Sequence, residues 1–231
     1  MKKPCLLILM FIIASSLIGC ASMDQLRRGL NAVDSFWGET NEKYLSKYGE
    51  RTYSIDINTA VSAMHKAIND ISDLSLDDEH RISKTESYII YKGIVSTILS
   101  KEEFKKLKKV EEPMMQAIAA NEVGDFTSHF LVLTHGDNFN IIVKITFKEL
   151  DTNFSISKNL RPNTHIKFNF KMYPNKEDKH GLYGENPPPE GVKIALVKVW
   201  NSFDDQIKNI TGNEAVQVNH DNDRQATNDQ I

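Results

Sequence analysis

The sequence predicts an α+β fold: an antiparallel sheet with helices packed on one face, preceded by an N-terminal amphipathic helix. Three observations carry this. In "THIKFNFKMY" the residues Ile166, Phe168, Phe170 and Met172 alternate strictly with Lys167, Asn169 and Lys171. One side of that strand therefore meets a core and the other meets water, the habit of an antiparallel sheet with one solvated face. Leu26, Leu30, Val33, Trp37, Tyr44 and Tyr48 recur at helical steps of three, four and seven, which marks a helix with one apolar stripe. The remaining segments read as strands interspersed with a few helices, the pattern of an α+β domain.

Taken in order, the helical pattern runs from Asp24, with Gly38 expected to interrupt it and Gly49 to stop it. Its stripe can dock on its own domain, lie at a membrane surface or meet a partner; docking is preferred because an apolar stripe is usually core. "RTYSIDI", Arg51 to Ile57, alternates as a half-buried strand. Asn58 or Thr59 is the expected cap of a helix whose Val61, Met64, Ile68 and Ile71 share one side. "LSLDDEHRI" and "SYIIYKGIV" read as strands, and residues 101–121 as a charged helix that Pro113 should break or restart. "TSHFLVLT", "FNIIVKITFKEL" and "THIKFNFKMY" are three further strands, the first two joined at "HGDN", His135 to Asn138, in a tight hairpin. A loop from Pro174 to Gly191 leads to a last helix carrying Val192, Leu196, Val199, Phe203 and Ile207. Beyond Ile210 the chain is polar and patternless, the composition of a disordered tail.

Bulk composition narrows the function. The 231 residues carry 28 basic and 31 acidic side chains, a formal charge of -3, so nothing marks a general nucleic-acid binder. Only Cys5 and Cys20 are cysteines, which leaves no disulfide framework in the body of the chain. No GxSxG elbow, phosphate-binding glycine loop or HExxH is present. "DDEH", Asp77 to His80, comes nearest to a metal-ligand set, but on a strand its members point to opposite sides. His129 and His135 flank the expected hairpin without a third ligand. No catalytic residue, metal or cofactor is therefore assigned.

The first residues carry the most specific signal. Lys2 and Lys3 precede "CLLILMFIIA", an apolar run of ten residues, Cys5 to Ala14, and "LIGC" follows at Leu17 to Cys20. About 20 apolar residues are needed to span a bilayer, so the run reads as an export signal rather than a membrane anchor. With that spacing, "LIGC" resembles the lipobox of bacterial lipoproteins. The resemblance implies cleavage between Gly19 and Cys20, acyl chains on Cys20, and a membrane anchor made by those chains. Ala21, where an aspartate would resemble an inner-membrane retention signal, implies the periplasmic face of the outer membrane. The inferred element order also resembles helix-grip domains of envelope lipoproteins, including accessory lipoproteins of outer-membrane assembly.

The expected organisation is a signal peptide over 1–19, a lipidated helical segment over 20–50, a globular domain over 51–210 and a tail over 211–231. The expected function is noncatalytic: a lipid-anchored envelope protein acting through protein contacts, in the setting of an envelope assembly or secretion complex. Trp37, Tyr44, Leu182 and Tyr183 are the candidate partner contacts. The last two form an apolar tip within the loop "PNKEDKHGLYGENPPPEG". The alternative is a binding module holding a small apolar or lipid-like ligand between the sheet and the last helix.

Overall fold

The structure, a computed structural model, describes residues 4–94, 98–123, 139–150, 162–174 and 184–212, with side chains for 24–93, 98–121, 140–150, 162–172 and 184–212. It contains α1 (Pro4–Tyr48), β1 (Glu50–Tyr53), α2 (Ile57–Ile71), β2 (Ser75–Arg81), β3 (Glu86–Ile94), α3 (Lys101–Val123), β4 (Phe139–Leu150), β5 (Asn163–Pro174) and α4 (Pro189–Thr211). The strands form a five-stranded antiparallel sheet in the order β1-β5-β4-β3-β2. The chain's first strand thus closes beside its last, and the predicted α+β class holds.

Strand alternation sorts the two sides of the sheet. Ile141, Val143, Ile145 and Phe147 of β4 and Ile166, Phe168, Phe170 and Met172 of β5 are buried beneath the helices. Their neighbours Lys144, Lys148, Lys167, Asn169 and Lys171 are exposed on the other side. Two helices cover the inner side. On α2, Ala60, Ala63, Met64, Ala67 and Ile68 are buried, and on α4 Val192, Leu196, Val199, Trp200, Phe203 and Ile207. The small residues of α2 let it approach closely, while Trp200 fills the space near β1 and β5. Its ring meets Tyr53, Phe168 and Phe203 at centroid separations of 6.1, 4.9 and 5.9 Å.

Several local expectations need correction. The first strand ends at Tyr53, and Ile57 opens α2. Asp56 rather than Asn58 or Thr59 caps that helix, accepting from the N–H groups of Asn58 and Thr59 at 3.0 Å each. A carboxylate placed one residue before the first turn reaches both donors, which a residue already inside the turn cannot do. Gly38 does not interrupt α1. Pro113 does not break α3 either. It sits on the exposed side, while Leu107, Glu111, Met115 and Ala119 at four-residue steps keep both halves of the helix packed on one buried face. The carbonyl that Pro113 leaves without a partner belongs to exposed Lys109, where water can serve it.

The expected strand "TSHFLVLT", the hairpin at His135 to Asn138 and the tail beyond 212 lie outside the described residues. The last helix runs on to Thr211 and is closed by Gly212 at φ 68°, whose N–H donates to the Lys208 carbonyl at 2.9 Å. This is the left-handed stop that glycine adopts without steric cost.

Candidate functional site

The backbone at Gly19 and Cys20 lies within α1, and the side chains there are outside the described residues. No helix among the described residues is long and apolar enough to cross a membrane. From Gly29 onward α1 belongs to the domain: Gly29, Val33, Trp37 and Asn41 are buried at four-residue steps. The stripe docks on its own chain, as preferred from the sequence. Trp37 is consequently withdrawn from the candidate partner contacts, because it is 5% exposed and its ring N–H donates to Glu111 at 3.2 Å. Tyr44 remains half-buried, its ring 4.8 Å from that of Tyr48 and 5.7 Å from the Lys193 ammonium. Leu182 and Tyr183 lie outside the described residues.

What holds α1 comes from far along the chain. Asp34 accepts from the backbone N–H of Asn186 at 2.9 Å and from its side-chain amide at 3.0 Å. Asn41 donates its amide to the Pro187 carbonyl at 2.7 Å. Gly184 passes so close that a Cβ there would lie 2.0 Å from an Asp34 carboxylate oxygen, and a Cβ on Gly38 would lie 3.0 Å from the Asn186 amide. The proline-rich end of the 174–191 loop, Gly184 to Pro188, is therefore a clasp across α1.

The clasp feeds into a three-helix junction. Pro188 precedes α4 and offers no side-chain acceptor to its first turn. Glu111 of α3 takes over, accepting the Glu190 backbone N–H at 2.8 Å with one oxygen and the Trp37 ring N–H with the other. A carboxylate here also faces the positive end of the α4 dipole. Burial raises the Glu111 carboxyl above the usual carboxylate range, opposed by hydrogen bonds from the Glu190 backbone and Trp37.

The closest approach to a catalytic grouping lies between α2 and the edge strand β2. His65 stands 2.5 Å through Nδ1 from the Tyr91 hydroxyl and 3.3 Å through Nε2 from a Glu79 oxygen. With Nε2 protonated toward the carboxylate, Nδ1 accepts from the phenol. Burial first, then the Glu79 charge, pushes the Tyr91 hydroxyl up to about 12. Tyr91 is 1% exposed, so the chain of hydrogen bonds ends inside the protein. A cleft of about 460 Å³, lined by Asn58, Ser62, His65, Lys66, Glu79 and Arg81 among others, opens beside it. The Arg81 guanidinium that borders it is engaged by Asn58 and by the carbonyls of Ser83 and Lys84.

The "DDEH" residues part company as strand geometry demands. Asp77 pairs with Lys92 at 2.8 Å, Asp78 accepts from the Tyr88 hydroxyl at 2.9 Å, Glu79 turns to His65, and His80 lies against the Tyr88 ring. Among the described residues no three His, Cys, Asp or Glu groups are placed to share a metal ion.

Among the described residues the space beneath the sheet is filled. Between the sheet, α2 and α4 lies a void of only about 10 Å³, lined by Ile68, Val143, Phe170 and Val199 among others. That is room for a single water at most. The opposite side is uncovered among the described residues: β4 and β5 present Lys144, Lys148, Lys167 and Lys171, with Thr146 and Asn169 between them.

No protein-family model, curated protein or solved structure matches the chain.

Sequence reasoning missed Glu111, the His65 chain and the clasp residues Asp34 and Asn186. All are polar residues whose partners stand 12 or more positions away, and no local spacing announces them. The lysines carried a signal, since Lys167 and Lys171 alternate outward with Asn169, but their alignment with Lys144 and Lys148 depends on strand register.

Proposed function

We propose that the chain is a noncatalytic, lipid-anchored cell-envelope protein that acts through protein contacts, held at the periplasmic face of the outer membrane by acyl chains on Cys20. The observation that carries the contact reading is the unequal treatment of the sheet. Among the described residues its inner side beneath α2 and α4 is closely packed around a void of about 10 Å³, while its outer side is uncovered and rich in charge. An uncovered face offers area to a macromolecule, whereas a small-ligand site is concave and largely pre-formed. The ligand-module alternative placed its ligand between the sheet and the last helix, where Trp200, Phe203 and Phe168 now stand.

Support for the anchor is the run of Lys2 and Lys3, ten apolar residues and "LIGC". Because α1 is helical from Cys20 to Gly29, its first buried residue among those with described side chains, the nine intervening steps span roughly 14 Å at 1.5 Å per residue. An acylated Cys20 would thus hold the domain close to the bilayer, near enough to meet partners there. An envelope assembly or secretion complex is the proposed setting.

Two measurements test this. Cys20→Ala, or globomycin treatment, should block processing and release the protein from washed outer membranes; unchanged processing and anchoring would refute the anchor. Crosslinked pull-down of the native chain should recover one reproducible envelope protein, and recovery of extractable lipid in its place would favour a carrier.

A further inference from the structure

The outer side of the sheet has an order that no single strand displays. β4 and β5 pair with Lys148 opposite His165, Thr146 opposite Lys167, Lys144 opposite Asn169 and Ile142 opposite Lys171. Steps along the sheet therefore bear Lys148, Lys167, Lys144 and Lys171 in turn, crossing from one strand to the other each time. Two residues of extended chain advance about 6.8 Å and neighbouring strands lie about 4.8 Å apart. The ammonium groups thus form a zigzag rail about 20 Å long, at three steps of that length.

No aspartate or glutamate occupies an outward position of β4 or β5. The nearest acids stand at the rim. Glu50 of β1 meets Lys167 at 2.6 Å and His165 at 3.3 Å, Glu185 meets Lys171 at 3.5 Å, and Glu86 lies opposite Lys148 in the β3 register. Lys144 rests over the Tyr88 ring at 4.8 Å. A surface built for solubility intersperses both signs; here a chain of net charge -3 gathers its cations on its central strands and keeps acids to the margin.

We infer that this rail is a docking surface for an extended, acidic segment of a protein partner, one with carboxylates at alternate positions. The inference rests on the contact reading above and names the chemistry of the contact. In an extended chain, side chains of one side repeat every two residues, the same advance of about 6.8 Å along the strands by which one lysine follows the next. Alternate carboxylates would then each meet one ammonium. The residues between would turn away from the sheet, while Thr146 and Asn169, on the same face as the lysines, can hydrogen-bond the carboxylates, with Ile142 and Ile90 available for apolar contact beside them. The exposed pairs to Glu50 and Glu185 are of the weak kind that a ligand carboxylate can replace.

The test is a titration of the full chain in detergent with a fluorescein-labelled peptide of alternating glutamate and threonine, read by anisotropy. Binding should saturate, weaken with salt, and become about tenfold weaker in Lys144→Gln/Lys148→Gln, whose salt dependence should also flatten. The double variant Lys105→Gln/Lys106→Gln, exposed on α3, serves as the charge-matched control and should bind as the unaltered chain does. Thermal melts of both variants check that the fold is kept. Equal loss in the control, absence of saturable binding, or equal affinity for oligothymidylate or phosphatidylglycerol vesicles would each overturn the assignment. If pull-down recovers a partner undiminished by Lys144→Gln/Lys148→Gln, the lysine rail is wrong and the contact reading stands. If no partner is recovered, the contact reading fails and the titration alone decides the rail.

Discussion

The two sides of the sheet are made from the same strands, one residue out of step, and they behave as different materials. On the inner side each side chain is held by several others: Trp200 is 1% exposed, is met by three aromatic rings and by the Arg51 guanidinium, and donates its ring N–H to the Tyr48 carbonyl at 2.9 Å. On the outer side the lysines stand at the surface, Lys167 and Lys171 each beside a rim carboxylate and Lys144 over the Tyr88 ring. Stability is therefore concentrated on one side, which leaves the other free to carry a charge pattern that packing would not tolerate. Burial also explains why polar groups beneath the sheet find partners, since an unpartnered one costs about 1–3 kcal/mol. Thr164, fully buried on β5, donates to the Ile55 carbonyl at 2.7 Å, and Tyr53 donates to Asp204 at 2.6 Å.

The sharpest way to break this contrast is Trp200→Ala. Loss of the indole from a packed interior should cost about 3–5 kcal/mol in denaturant unfolding. A loss below about 1 kcal/mol, the scale of an exposed site, would mean that the inner side does not carry the fold.

The clasp over α1 comes next. Gly184→Ala forces a methyl group toward Asp34 and should destabilise by about 1–3 kcal/mol, the usual cost of overpacking. Protection of the α1 amides against hydrogen exchange should fall more than that of β4. Equal loss in both would mean that α1 and the sheet open together.

Glu111 gives the pH test. Its carboxyl is raised in the folded state, chiefly by burial, so the folded protein holds its proton to higher pH than the unfolded chain does. Its contribution is therefore fully present below the unfolded carboxyl range and is lost as pH rises through the folded value. Glu111→Gln keeps an acceptor but cannot ionise. The unaltered protein should gain stability relative to this variant as pH falls through that window. A difference that stays flat, or runs the other way, would show that Trp37 and the α4 N–H outweigh burial.

The smallest effect belongs to the outer side. Lys144→Gln/Lys148→Gln should change stability by no more than about 0.5 kcal/mol per position, as for ordinary surface substitutions. Its consequence should appear in binding alone. A large loss of stability would make the lysines part of the fold and blur the contrast between the two sides.

Much of the fold was legible because periodicity is a local property. The alternation in β5 and the apolar stripe of α4 each show their buried side within a dozen residues. Element ends were harder. Ile57 fits the alternation of the first strand and also opens α2, and only the reach of the Asp56 carboxylate to two backbone N–H groups decides between them. Pro113 misled for the opposite reason: its local cost is real, but packing of Leu107, Glu111, Met115 and Ala119 on one face outweighs it. Of the partner contacts expected, Trp37 was misassigned because an aromatic on an apolar stripe looks alike whether it meets a partner or its own domain.

The sequence by itself determined which strand residues turn inward and the helical nature of the segment from Asp24, and it carries the "LIGC" run on which the proposed acylation of Cys20 rests. Those depend on spacing along the chain, which is present before any folding. Tertiary structure alone decided that Glu111 caps α4 from another helix, that residues 184–188 clasp α1, and that four lysines from two strands fall into one rail. Each depends on register or on groups brought together from distant positions, a result of how the core closes rather than of any local pattern.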